Sequence, residues 1–170
     1  MLEANVLAAI QLQVKAALDY DKLLDKLRGS EGEKNIRDQQ NALITSLNLR
    51  LNGVSKKRTR LYEDYAEGLL DEAEYSFAKK SYDEQYADLS RRLDEAVQRR
   101  SKFDEAMSVD NKWITLMKSV STATQLSQDL VDESVELVKV HEGGAVELVM
   151  KYGDIYELTI QSIKEVQEAM

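Results

Sequence analysis

The stretch Tyr65-Ala66-Glu67-Gly68-Leu69-Leu70-Asp71 decides the fold of this chain. It separates two long segments, 34–67 and 71–107, that each carry a helical apolar stripe, and it is too short for anything but a reversal. Steps of four and three from Tyr75 reach Lys79, Tyr82, Tyr86, Leu89, Leu93, Ala96, Arg100, Phe103 and Met107, which is the seam of a coiled coil. The outgoing stripe is looser, with Ile36, Leu43, Ile44, Leu47, Leu51, Val54, Leu61 and Tyr65 interrupted by Arg50 and Arg58. Helices of that length run on the order of 50 Å each. The chain is expected to go out along one helix and return along the other.

The reversal is written locally. Gly68 suits the left-handed residue that closes a helix, and Asp71 with Glu74 has the spacing of a capping box opening the return helix. Leu70 and Tyr75 have the spacing of a hydrophobic staple across that cap. From Leu61 to Ala78 the chain carries six acids and no Lys or Arg, together with Leu61, Tyr62, Tyr65, Leu69, Leu70, Tyr75 and Phe77. These side chains form either a small private cluster that closes the turn or an adhesive tip that docks on another protein.

Outside this pair, residues 2–28 read as a helix with Leu2, Val6, Ile10, Val14, Ala17, Leu18 and Leu24 on one face. Gly29-Ser30-Glu31-Gly32 ends it and reads as a flexible joint. Asp110 is placed to cap a short helix holding Trp113, Ile114, Leu116 and Met117; Ser127 is placed to cap another, to about Val135, with Leu126 and Val131 as its staple. A β-hairpin follows over about 138–152, turning at Glu142-Gly143-Gly144, with Val146, Leu148, Met150 and Tyr152 on one face. A helix over about Asp154–Ala169 closes the chain, with Ile155, Leu158, Ile160, Ile163 and Val166 as its apolar residues. The expected architecture is mainly α with a small β-hairpin: a long antiparallel coiled-coil arm (34–107, tip at 66–71) projecting from a small α+β base made of 1–33 and 108–170.

Composition narrows the function. There is no cysteine, so disulfides, thiol nucleophiles and thiolate metal sites are excluded. No apolar run reaches the roughly 20 residues of a membrane span, and the start lacks the basic region of a signal peptide, so a cytoplasmic protein is expected. No phosphate loop, dinucleotide fingerprint or Cys/His ligand set occurs, and the single histidine, His141, reads as a surface or edge residue. The chain is read as non-catalytic, with no cofactor of its own. Residues 108–170 hold five bases and eleven acids, which supplies most of the net charge of −8 and opposes contact with phosphate backbones. The basic runs Lys56, Lys57, Arg58, Arg60 and Arg91, Arg92, Arg99, Arg100, Lys102 do not merge when the hairpin is folded about residue 69. They read as solvated or salt-bridged faces of the arm.

The run Lys57-Arg58-Thr59-Arg60-Leu61-Tyr62-Glu63-Asp64-Tyr65-Ala66-Glu67-Gly68-Leu69-Leu70-Asp71-Glu72-Ala73-Glu74-Tyr75 resembles the coiled-coil turn of large serine recombinases, the phage integrases and transposon recombinases of bacteria. Leu2-Glu3-Ala4-Asn5-Val6-Leu7 resembles the helix that follows their zinc ribbon. Leu130-Val131-Asp132-Glu133, Val138 to Gly144 and Val146-Glu147-Leu148 resemble their closing helix and hairpin. The resemblance implies a bacterial or phage-encoded protein of which this chain is a C-terminal part, with serine, recombinase and zinc-binding portions preceding it. It implies that zinc and most DNA contacts belong to those portions, and that this chain touches DNA weakly or not at all. It also implies that Leu61, Tyr62, Tyr65, Leu69, Leu70, Tyr75 and Phe77 contact other recombinase subunits or a recombination directionality factor, controlling synapsis in DNA integration and excision. A generic coiled-coil adaptor or dimerisation scaffold is the alternative, and a DNA-binding module using the basic runs is a further one. On this reading, changing Tyr65 and Leu69 to Ala weakens tip association at unchanged helicity, to be checked by sedimentation equilibrium beside circular dichroism.

Overall fold

Helix formers fill the chain and proline is absent, so nothing interrupts the long periodic segments. The computed structural model describes residues 2–141 and 145–170. Among them the order is α1 (Leu2–Leu27), α2 (Glu31–Ala66), α3 (Glu72–Met107), α4 (Lys112–Ser119), α5 (Gln128–Ser134), β1 (Val135–Val140), β2 (Val146–Met150) and α6 (Gly153–Glu168). The protein is mainly helical, with a long antiparallel α2–α3 pair and one small antiparallel β-hairpin. None of the described helices is long and apolar enough to cross a membrane. Contacts divide the chain into two units, 37–101 and 1–36 with 102–170.

Unit 37–101 is a two-helix structure with a thin seam. Leu47 and Val54 of α2 pack with Leu89 and Ala96 of α3, flanked by Ile44, Leu51, Tyr82, Tyr86 and Leu93. Leu47, Val54 and Leu61 recur at seven-residue intervals and all three are buried, as a coiled-coil seam requires. Tyr65 meets Tyr75, and further back along α2, Arg58 meets Asp83 further along α3, so the helices are antiparallel and fold about residue 70. Two residues of the expected stripe are exposed: Leu43, which lies off the seam, and Tyr65, at the tip.

Residues 1–36 and 102–170 share a larger core. Val6, Ile10, Val14, Ala17 and Leu24 of α1 are buried with Trp113, Ile114 and Met117 of α4 and Ile155, Ile163 and Val166 of α6. Leu18, placed on that apolar face from sequence, is instead part-exposed. Trp113 is fully buried between Tyr20 and Tyr156, with ring centroids 6.1 and 4.7 Å away and tilted against it. Two polar anchors cross this core. Asn111 donates to the Ala106 carbonyl (3.0 Å) and to Thr159 Oγ1 (2.8 Å), and its side-chain oxygen accepts from Ile114 N–H (3.1 Å). Thr159 in turn donates to the Ile155 carbonyl at 2.6 Å, so a polar residue on the inner face of α6 is fully satisfied. Arg28, after α1, donates to the carbonyls of Met107 and Ser108 at the end of α3, at 2.8 and 2.7 Å, and pairs with Asp25.

Several boundaries differ from the sequence reading for local reasons. Asn111, not Asp110, caps α4, because its amide also reaches α3 and α6. The segment Gly29–Gly32 is a turn closed by its own hydrogen bonds. Gly29 takes φ +74°, Ser30 Oγ accepts from Glu33 N–H, and the Glu33 carboxylate accepts from Gly29 N–H, so α2 already begins at Glu31. Ser127 does cap α5, accepting from Leu130 N–H at 3.2 Å. The hairpin starts earlier than expected, at Val135, with Val138 opposite Leu148 and Val140 opposite Val146. It also stops earlier, because Tyr152 turns to φ 58° and opens α6. Met150 is buried and Leu148 half-buried as the alternation predicts, whereas Tyr152 has left the strand. The expected turn at Glu142-Gly143-Gly144 lies outside the described residues, as does the side chain of Val146.

Two helical glycines make opposite predictions. A Cβ on Gly32 would overlap the Val166 carbonyl oxygen and stand 2.7 Å from Met170 Cγ, so this glycine is what allows α6 to pass so close. Gly53 has nothing within 4 Å of such a Cβ. Gly53→Ala is expected to stabilise by up to about 1 kcal/mol through helix propensity. Gly32→Ala is expected to destabilise by about 1–3 kcal/mol through overpacking. Urea unfolding of both variants followed by circular dichroism checks the pair.

Candidate functional site

The tip of the α2–α3 hairpin is built by hydrogen bonds within a few residues. Gly68 has φ +77°, Leu69 N–H donates to the Asp64 carbonyl (2.9 Å), and Gly68 N–H donates to the Tyr65 carbonyl (3.1 Å). These two bonds are the Schellman closure of α2. Across the turn, Glu74 N–H donates to Asp71 Oδ1 at 2.8 Å while Glu74 Oε2 accepts from Asp71 N–H at 3.1 Å. The reciprocal cap satisfies two amide groups that the first turn of α3 would otherwise leave free. Tyr65 and Tyr75 then stack across the turn, centroids 4.3 Å apart and planes 17° from parallel.

The seven apolar tip residues separate into three roles. Leu61 is 9 % exposed and belongs to the seam, so it is not available as a contact residue. Tyr75 and Leu70 are half-buried, Tyr75 being held by its stack on Tyr65. Phe77, Leu69 and Tyr62 are 81, 67 and 62 % exposed, and Tyr65 is part-exposed while stacked. Tyr65 therefore also closes the turn, and Leu69 and Phe77 are the cleaner probes of docking. The stack was open to sequence reading, since positions 65 and 75 stand equally far from a fold point at 70.

Arg58, Arg60, Arg91 and Arg92 of the basic runs pair with acids of the same hairpin. Arg58 Nη2 lies 2.7 Å from Asp83 Oδ1, a charge contact rather than an aligned hydrogen bond, and its guanidinium stands 4.8 Å from the centroid of the Tyr86 ring. Arg91 bridges Asp88 (2.6 Å) and Glu95 (2.7 Å), and Arg92 lies 3.8 Å from Asp88. Tyr82, Tyr86, Leu89 and Leu93, the residues that a lengthwise dimer would bury, are already engaged by the chain's own seam. His141 is exposed beside Glu147, 3.1 Å away. Lys139 also pairs with Glu147, and these two partners, Lys139 first, hold the Glu147 carboxyl below its ordinary range.

A concave feature lies within residues 1–36 and 102–170. It is an open cleft of about 640 Å³ whose lining includes Trp113, Met150, Tyr152 and Tyr156, with Glu136 and Glu157 also on it. Among the described residues no group of three or more His, Cys, Asp or Glu is placed to hold a metal. Compared with family models, curated proteins and solved structures, the chain finds no match. What can be said of the site therefore comes from its own chemistry: a locally locked turn that presents apolar side chains among carboxylates.

The seam also carries a pH signature. Lys79 Nζ donates to Asp83 at 2.9 Å; this bond, and then the charge of Arg58, lower the Asp83 carboxyl below its ordinary 3.8, while the same bond raises Lys79 above 10.5. A lowered carboxyl contributes stability that is present above its unfolded value and lost as pH falls through the folded one; a raised lysine contributes below about 10.5 and loses it above. Asp83→Asn is expected to lower the thermal midpoint of the helical signal between about pH 4 and pH 10 and to make no difference near pH 2. Thermal circular dichroism across that range checks this.

Proposed function

We propose that this chain is the coiled-coil arm and adjoining α+β base of a large serine recombinase, a non-catalytic module that holds DNA-bound subunits together through its tip. The observation that carries the reading is the reversal at Gly68. It is rigidly specified, yet leaves Leu69, Phe77 and Tyr62 exposed at a point where a plain turn needs only small polar residues. The resemblance of the 57–75 run to the recombinase coiled-coil turn supports the same reading. Two further features fit: an acidic C-terminal region and arginines engaged by the hairpin's own acids suit a module that leaves DNA contact, and any zinc, to other parts of the protein. A directionality factor is a second partner for the tip on this reading, and the setting is the bacterial cytoplasm.

The adaptor alternative loses ground because its lengthwise surface is occupied within the chain. Docking by a tip of this size is weak for each pair and becomes effective when DNA raises the local concentration. The test is inhibition in trans. Added in excess to a synapsis reaction of a recombinase that carries this region, the chain is expected to block pairing of site-bearing DNA fragments, and Leu69→Ala with Phe77→Ala to abolish the block. Unimpaired pairing in the presence of the folded wild-type chain would sink the proposal.

A further inference from the structure

The cleft within residues 1–36 and 102–170 carries chemistry that packing does not explain. Trp113 lies in its floor, and Tyr152 and Tyr156 border it. Tyr152 is exposed and held at φ 58°, the one non-glycine at positive φ among the described residues. Three carboxylates, from Glu136, Asp154 and Glu157, line the same cleft. All three residues are exposed, and their side chains make no hydrogen bond or ion pair within the described residues. Nearby lysines are held by other partners. Lys112, which feels the charge of Asp154, pairs with Glu105 at 3.0 Å, and Lys151 donates to the Asp132 carbonyl. In the floor, the Trp113 indole Nε1–H is buried and has no acceptor among the described residues. A buried donor in that state is costly, and an incoming acceptor removes the cost.

We propose that this cleft binds an arginine side chain within a short peptide segment. The carboxylates and tyrosine rings take up the guanidinium, and a neighbouring peptide carbonyl accepts from Trp113 Nε1–H. The volume of about 640 Å³ lies in the range of small-ligand sites. Three unpaired carboxylates repel an anion and favour a cation. Among cations, the flat and weakly hydrated guanidinium stacks on aromatic faces and offers forked donors to more than one carboxylate, which an ammonium group does not. The indole adds the need for an acceptor, which a peptide carbonyl meets. Tyr156, half-buried with its ring centroid 4.7 Å from that of Trp113, is the side chain that turns to admit it. Nothing in this inference depends on the tip of the α2–α3 hairpin or on recombination.

Trp113 is the only tryptophan, so the isotope-labelled chain gives a single indole N–H resonance that reports from the floor of the cleft. The chain is titrated with a capped glycine–arginine–glycine peptide and with the same peptide carrying citrulline, the uncharged counterpart of arginine. Agmatine, which has the guanidinium but no carbonyl, is the third probe. The arginine peptide is expected to move the indole resonance downfield and to saturate. The citrulline peptide is expected to leave it in place, and agmatine to bind more weakly than the arginine peptide. Glu136→Gln with Glu157→Gln is expected to weaken binding of the arginine peptide about five-fold. Tyr152→Gly is expected to keep the fold, since glycine takes φ 58° freely, and to weaken binding by a similar factor. An indole resonance that ignores the arginine peptide, or follows the citrulline peptide equally, would overturn the inference. So would binding of the arginine peptide that neither set of substitutions weakens. Agmatine binding as tightly as the arginine peptide would overturn the peptide as the ligand.

Discussion

Everything in the α2–α3 pair depends on the register imposed at Gly68. A helix advances about 100° per residue, so one residue gained or lost in the turn rotates the whole of α3 relative to the seam. Leu89 and Ala96 would then leave Leu47 and Val54, and Asp83 would leave Arg58. A seam this narrow has no spare apolar width to absorb such a slip. The Schellman bonds, the Asp71–Glu74 cap and the Tyr65–Tyr75 stack all lie within a dozen residues of one another, and together they fix the register of the pair. The turn therefore serves as the origin from which the pairing is measured.

The second unit solves a different problem. Its elements are drawn from distant parts of the sequence, so local signals cannot bring them together. Buried polar groups do part of that work. Asn111 links the end of α3, the start of α4 and the middle of α6 through one side chain, and Arg28 ties the end of α1 to the end of α3. Such contacts are directional, and they select one arrangement where apolar packing alone would tolerate several.

What was legible in the sequence follows from the range of each interaction. Gly68, the Asp71–Glu74 cap, Ser127 and the long helical stripes were readable because each is settled within one or two helical turns. Leu61 stood both on the helical stripe and among the tip residues; its seven-residue spacing from Val54 and Leu47 agrees with the stripe, where it is buried. Asp110 and Asn111 are equally good caps by local rules; the choice was made by Thr159, forty-eight residues away. Gly32 looked like a hinge because its sequence is permissive, whereas its packing against Val166 is tight. Tyr152 gave no sign of leaving its strand, since a tyrosine at φ 58° is uncommon and nothing local asks for it.

The inequality of the two cores has a thermodynamic consequence. One rests on the Trp113 cluster drawn from seven elements, the other on a single line of side chains between two helices. Backbone amides of residues 37–101 should exchange with solvent through openings that cost far less than global unfolding, while those around Trp113 wait for the whole unit to open. A melting curve of this protein is then the sum of two processes, and one midpoint describes neither of them.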